Sequence, residues 1–309
     1  MKYKVTHLTK YRYSNTVNLC YNEARLLLRN TPFQNCVQTE LKISPDVSDY
    51  RERKDFYGNK IAYFSIEKPH DELIVTSESY VETVNQYGRI PENHQLRYKD
   101  ALVSLKDQAP FDSEFFKQFQ LHSPLIPAHP EIMSYALQSF ESNPLLLEGV
   151  MDFMRRIHGD FKFIAGYTTI ATPLADVIRE KKGVCQDFAH VAIAGLRSLG
   201  IPASYVSGYI ETYRKDTPNL MQPLIGADAS HAWVSVYSPD VGWVDFDPTN
   251  NKIPIGEHIT NSIGRDYSDV SPLKGVIFTS GHHKLSVDVE VKRLEQFPKF
   301  FNDSIAYQL

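Results

Sequence analysis

Polar and apolar residues alternate with a period of two through much of the first third of the chain. In Lys4–Tyr13 the residues Val5, His7, Thr9, Tyr11 and Tyr13 share one side, the pattern of a strand with one covered face. Glu23–Leu28, Val37–Ile43, Ile61–Ile66 and Leu73–Val84 are also strand-like, and Asp55-Phe56-Tyr57-Gly58-Asn59 has the chemistry of a hairpin turn. Closely spaced strands with turn signals between them predict a β-sandwich-like N-terminal domain over residues 1–100. The polar stretch Asn85–Lys99, with Gly88 and Pro91, is its exit linker.

The period then changes to that of a helix. His129-Pro130 opens one running to about Phe140, with Pro at the first-turn position it tolerates. Asn143-Pro144 is expected to cap the next, where Leu146, Val150, Phe153, Met154 and Ile157 keep helical spacing. Thr172-Pro173 starts a shorter helix that stops before Gly183. From Cys185 to Leu199, Phe188, Val191, Ala192, Gly195, Leu196 and Leu199 form one stripe; Gly200 ends that helix and Pro202 prevents its continuation. Strands follow at Ser204–Glu211, Ala229–Tyr237, Gly242–Phe246 and Lys284–Val291. The class is α+β: an N-terminal sheet domain, a helical connection over 101–144, a catalytic domain over 145–275 with a helix packed on an antiparallel sheet, and a C-terminal strand and tail over 276–309.

Composition narrows the functional classes. A length of 309 residues with 42% hydrophobic and 23% charged residues is that of a folded chain with room for two domains. A net charge of −4 without a dense Lys/Arg run gives no reason to expect nucleic acid or an anionic membrane as partner. Three cysteines, Cys20, Cys36 and Cys185, leave one unpaired in any disulfide scheme, and none has a short zinc-site spacing. The first fourteen residues lack the apolar core of a signal peptide, and no apolar run reaches the ~18–20 residues of a membrane helix. The expected compartment is the cytoplasm, where a reactive thiol stays reduced.

Three stretches carry candidate chemistry: Gly183-Val184-Cys185-Gln186-Asp187-Phe188-Ala189, Ser230-His231-Ala232-Trp233-Val234, and Trp243-Val244-Asp245-Phe246-Asp247-Pro248-Thr249. Cys185 sits at a helix start, where unpaired N–H groups and the dipole favour a thiolate and can later hold an oxyanion. Alone, a Cys on an apolar stripe is usually a small buried hydrophobe. The turn at Ser238-Pro239-Asp240-Val241-Gly242 makes a hairpin of the other two stretches. Matching the apolar faces, Ala232, Val234 and Val236 against Val244 and Phe246, brings His231 and Asp247 out on the same side, with an odd number of loop residues between paired positions. A carboxylate placed there can take the imidazole's second N–H and fix its tautomer. Each stretch by itself favours a structural role. In the order Cys–His–Asp, downstream of a helix-start Cys, together they favour catalysis.

These residues resemble the transglutaminase-like superfamily of papain-type fold, and within it the bacterial branch of cysteine proteases. Gly183–His190, Ser230-His231-Ala232-Trp233 and Phe246-Asp247-Pro248-Thr249 carry the likeness, and Phe161, Phe163, Gly166 and Thr168 fit that branch's approach to the nucleophile. The N-terminal strands, with Arg25-Leu26 and Tyr57-Gly58-Asn59, resemble its β-rich companion domain. The resemblance implies a Cys185-His231-Asp247 triad, no cofactor and no metal. Animal transglutaminases carry a Trp upstream of the nucleophile and acidic calcium sites. Here Trp233 and Trp243 both lie downstream, and no dense acidic cluster resembles those sites. The expected reaction is therefore hydrolysis of a peptide or carboxamide bond in a peptide or protein substrate. Protein-glutamine transamidation and a non-catalytic peptide-binding scaffold are the alternatives.

For the second oxyanion donor Gln186 and Tyr167 are candidates, and Trp233 and Gly208 are candidates for the cleft. Gly208 either lets a substrate backbone approach or marks a bulge. Asp245 is the rival orienter of His231. His190, about 140° around the helix from Cys185, is expected to be structural, and His282-His283 a surface pair.

Overall fold

The computed structural model describes residues 1–85, 90, 94–107, 116–212, 224–226 and 229–298. Gly88 and Pro91 of the exit linker lie outside them. The N-terminal region contributes β1 (Lys2–Val17), β2 (Cys20–Leu27), β3 (Gln34–Ser44), β4 (Asp49–Lys54), β5 (Lys60–Ile66) and β6 (His70–Thr83). Alternation works as expected in β1, where Tyr3, Val5, His7 and Thr9 are buried and their neighbours are only partly covered. β4 was not legible. Its sequence, Asp-Tyr-Arg-Glu-Arg-Lys, is exposed on both faces, so no apolar period marks it, and it forms by pairing with β5 across the Asp55–Asn59 turn. The Asp55 carboxylate accepts the N–H groups of Tyr57 and Asn59, and Gly58 takes the positive φ of that turn, 76°.

The helices are α1 (Tyr98–Asp107), α2 (Pro130–Leu137), α3 (Leu146–Asp160), α4 (Leu174–Glu180) and α5 (Cys185–Ser198). Two short strands, β7 (Lys162–Phe163) and β8 (Lys182–Gly183), pair in parallel just ahead of α5. Asn143 does not cap α3. It adopts a positive φ of 53°, and its side-chain oxygen instead accepts the N–H of Lys99 in the first turn of α1. The stretch expected to be only a connection is part of the main core, because Ile132, Tyr135 and Ala136 of α2 pack into it and α2 lies against α5.

A four-stranded antiparallel sheet follows, built from β9 (Ala203–Ile210), β10 (His231–Ser238), β11 (Gly242–Phe246) and β12 (His258–Gly264) in the order β11-β10-β9-β12. α5 is buried on all sides from Asp187 to Arg197, not along a single stripe. Helices α2, α3 and α4 flank it, and β9 and β10 pack against it. Its C-terminal end is fixed by buried Arg197, which donates to the carbonyls of Leu121, Ala203 and Arg265. A short helix, α6 (Tyr267–Val270), leads to β13 (Leu273–Ile277) and β14 (His283–Leu294).

These last strands return to the N-terminal sandwich. Its sheets run β14-β1-β6-β3 and β13-β2-β5-β4, with β1↔β14 in register from Lys2↔Leu294 to Tyr13↔His283. The sandwich is therefore not made from residues 1–100 alone. Both of its sheets are completed by residues expected at the end of the catalytic domain and in a separate C-terminal segment. The physical reason is pairing: β1 and β2 each keep one unpaired edge until those strands cover it.

Candidate active site

Cys185 is the first residue of α5 and is half-buried. The N–H of Val184, the residue before it, donates to the Asp187 carboxylate at 2.7 Å, the return half of a capping box. Thr168 donates its hydroxyl to the same oxygen. That return explains Gly183. A Cβ there would lie 2.5 Å from the Asp187 carboxylate oxygen, so any larger residue would expel the cap. The first-turn N–H groups of Cys185 and Gln186 have no partner inside the helix and are the donors that a helix start offers. The other two cysteines contrast with this. Burial pushes both the Cys20 and the Cys36 thiol up, and Cys20 also accepts from Asn22.

The hairpin has the expected register. Val234 faces Phe246 and Ser238 faces Gly242, with three residues, Pro239 to Val241, in the loop. His231 Nε2 lies 2.9 Å from Asp247 Oδ2, and both side chains are fully buried. His231 is also the first residue of β10, so the starts of two packed elements, α5 and β10, bring the thiol and the ring together. With Nε2 on the carboxylate, Nδ1 is the other ring nitrogen; it is buried and has no hydrogen-bond partner among the described residues, and Cys185 is near enough to act on the ring electrostatically. Gly226, at φ +91°, lies close over the buried Nδ1, and a Cβ there would come within 2.8 Å of it.

The electrostatics follow from these contacts. Burial alone pushes His231 down, but the Asp247 carboxylate and Cys185 more than reverse this, and the ring rises to about 10. Burial likewise opposes the Asp247 anion, but His231 and His258 hold its carboxyl well below the ordinary range. Asp247 Oδ1 accepts the N–H groups of Thr249 and Asn250 at 2.9 and 3.1 Å. Oδ2 also accepts from Asn250 Nδ2 at 2.7 Å and faces His258 Nε2 at 2.9 Å. Among the described residues, His231, Asp247 and His258 are the group whose ligand atoms come close enough to hold a metal. Both ring nitrogens nevertheless point at one carboxylate oxygen at hydrogen-bond length. That spacing is what N–H donors around an anion would give.

Several secondary candidates lie elsewhere. Trp233 is buried, donates to Asp245 at 3.1 Å and stacks beside His231, so it supports the ring and does not line a cleft. Asp245 is thereby occupied with Trp233 and is not the orienter. Gly208 is not open to a substrate backbone, because a Cβ there would fall 2.1 Å from the Ile259 carbonyl and 2.6 Å from the Trp233 ring, beside a register shift in the β9–β12 pairing. Tyr167 is exposed and spends its hydroxyl proton on Glu180 at 2.6 Å. Gln186 stays beside Cys185 at the helix start. His190 is buried, accepts the Tyr267 N–H and is pushed down to about 4 by burial. His282 and His283 are exposed.

Sequence reasoning missed His258, Asn250 and the capping role of Asp187. His258 lies on β12, whose seven residues His-Ile-Thr-Asn-Ser-Ile-Gly show no alternation. Asn250 had a signal, since Asp-Pro-Thr-Asn is a turn in which an Asp side chain accepts the N–H groups that follow it.

Comparison with known proteins agrees with this architecture. Residues 3–82 match the bacterial transglutaminase-like N-terminal region and residues 134–248 the transglutaminase-like superfamily. An uncharacterized protein of Mycobacterium tuberculosis (strain ATCC 25618 / H37Rv) is 38% identical over 295 residues, 94% of this chain and 91% of its own length. The protein-glutamine gamma-glutamyltransferase of Pseudomonas aeruginosa is 34% identical over 74 residues, 24% of this chain but 11% of that protein. The solved "putative cysteine protease" of Cytophaga hutchinsonii has the same fold, with a TM-score of 0.70 at 20% identity over 96% of this chain and 93% of that one. With its sheet-rich N-terminal region joined to a core of this kind, the chain belongs to the transglutaminase-like superfamily.

Proposed function

We propose that the protein is a cysteine-dependent acyl-transfer enzyme that hydrolyses a peptide or carboxamide bond. Cys185 is the nucleophile, His231 the acid and base, and Asp247 the orienter. The observation that carries this reading is the buried 2.9 Å contact between His231 Nε2 and Asp247 Oδ2, with the opposite ring nitrogen left for Cys185. The Cys185 sulfur attacks the substrate carbonyl and a C–S bond forms. The oxyanion is held by the first-turn N–H groups of α5. The C–N bond then breaks, the His231 proton passes to the leaving amine, and a thioester results. In the second half His231 takes a proton from water as the water attacks the thioester, and collapse releases the acid and returns the proton to the Cys185–His231 pair. Hydrolysis is preferred to transamidation because neither tryptophan is placed to serve the nucleophile: Trp233 is committed to Asp245, and Trp243 packs with Phe119 and Tyr237. A peptide or protein is the substrate class and the cytoplasm the working compartment. No helix among the described residues is long and apolar enough to cross a membrane.

The test is a peptide library incubated with the full chain and with Cys185→Ala, read by mass spectrometry and by ammonia release. New amino termini, or a glutamine side chain converted to an acid, made only by the native chain support hydrolysis. Products joined to an added amine would favour transamidation. Identical libraries from both proteins would leave a non-catalytic scaffold.

A further inference from the structure

Asp247 carries more donors than one orienting carboxylate requires. Its Oδ1 holds two backbone N–H groups, and its Oδ2 is met by His231, Asn250 and His258 together. The His258 side chain is as completely enclosed as those of His231 and Asp247. Trp233 packs edge-on against its ring at 5.1 Å, and Glu257 Oε1 lies 3.7 Å from its Nδ1, beyond hydrogen-bond length. A carboxylate only accepts, so His258 Nε2 carries a proton whether the ring is neutral or charged.

Two imidazoles therefore share one oxygen. The backbone donors on Oδ1 already aim the carboxylate, so His258 is not needed for that purpose. What it changes is how much of the negative charge His231 feels. We propose that His258 is a positioning residue that tempers the Asp247–His231 pair, drawing part of the carboxylate's charge to itself so that His231 can release a proton as well as hold one. The inference rests on the triad reading above, in which His231 is acid in one half-reaction and base in the next. A buried imidazole facing an undivided carboxylate would take up a proton readily as base but release it poorly as acid. Among the described residues the other charged groups around His258 are Glu257 just before it, Lys252 paired to Glu257 from the preceding turn, and Glu211, whose N–H donates to the Glu257 carbonyl. Glu211 is itself engaged by Arg293 of β14 and Tyr3 of β1.

The experiment is a nitrogen-15 NMR titration of the His231 ring in the full chain, with histidine labelling and a Cys185→Ala background. The background removes the thiol, leaving Asp247 and His258 as the groups compared, and a His231→Gln sample assigns the signal. Replacing His258 with Phe or with Asn, which is too short to reach Asp247, should raise the His231 midpoint by about one pH unit, roughly tenfold in proton affinity. His258→Gln, which keeps an uncharged N–H donor, should raise it by less. If Phe does not fold there, the smaller and polar Asn gives the same readout. An unchanged midpoint in these variants would make His258 a space-filling residue, and a lowered midpoint would make it an aid to orientation; either result overturns the proposal. Failure of the triad reading would show separately, as an unreactive Cys185 in the native chain, because this titration contains no thiol at position 185.

Discussion

The β10–β11 hairpin and strand β12 each deliver one imidazole to the same carboxylate oxygen, yet they are built in different ways. In the hairpin, apolar residues on one face fix the register, and the polar face then carries His231 and Asp247 together. β12 has no such face. Besides its pairing with β9, it is held by amide side chains of the N-terminal sandwich. Gln34 accepts the Thr260 N–H and donates to its carbonyl, both at 2.7 Å, and Asn59 does the same for Ile263 at 2.8 Å. Asn261 donates to the Arg25 carbonyl at 2.6 Å. The hairpin is positioned by hydrophobic burial from within its own domain. β12 is positioned by directional bonds to the other domain, and so the sandwich becomes part of the site's support.

The largest test of this contrast lies in the hairpin. Asp247→Asn leaves buried His231 without its counter-charge and should destabilise the fold by about 3–5 kcal/mol, read by denaturant unfolding. The loss should depend on pH with a definite sign. The His231 contribution is complete below its ordinary 6.5 and fades as pH rises through about 10. The Asp247 contribution is complete above its ordinary 3.8 and fades only as pH falls well below that. The stability gap between native and Asp247→Asn chains should therefore be widest from about pH 4 to 6.5 and should narrow toward pH 10. A gap that widened above neutrality would show that the pair is not charged in the folded state.

On the β12 side, Gln34→Leu removes the two buried hydrogen bonds to Thr260 and a third to the Arg29 carbonyl, and so strands three backbone groups. A cost of about 2–4 kcal/mol is expected, together with faster amide exchange at Thr260 and unchanged exchange along β11. Equal acceleration in both places would mean that the two supports are not separate. A smaller effect belongs to the nucleophile's own turn: Thr168→Val removes one donor from Asp187 and should cost about 1 kcal/mol while slowing Cys185 alkylation only modestly.

The same contrast separates what the sequence made legible from what it did not. Wherever a face is buried against an apolar core, the period shows it. This holds for β1 and for the β10–β11 register, and hence for the meeting of His231 with Asp247. Two of the elements missed, β4 and β12, are exposed on both faces or bonded through side-chain amides, and neither situation leaves a periodic trace. The return of β13 and β14 to the sandwich was hidden because strand pairing over more than two hundred residues is a matter of free edges, not of local pattern. At the site, His258 came from such an unmarked strand. Gly208 and Trp233, expected at the cleft, pack against each other and not around a substrate.

The central claim is that Cys185 is activated by His231, and alkylation measures this most directly. The native chain is treated with iodoacetamide at mildly acidic pH, and each cysteine is followed by peptide mass spectrometry, with Cys20 and Cys36 as internal references whose thiols burial pushes up. The account predicts rapid modification of Cys185 alone and loss of that advantage in His231→Ala. Equal, slow modification of all three cysteines in the native chain, or a Cys185 rate indifferent to His231→Ala, would contradict it.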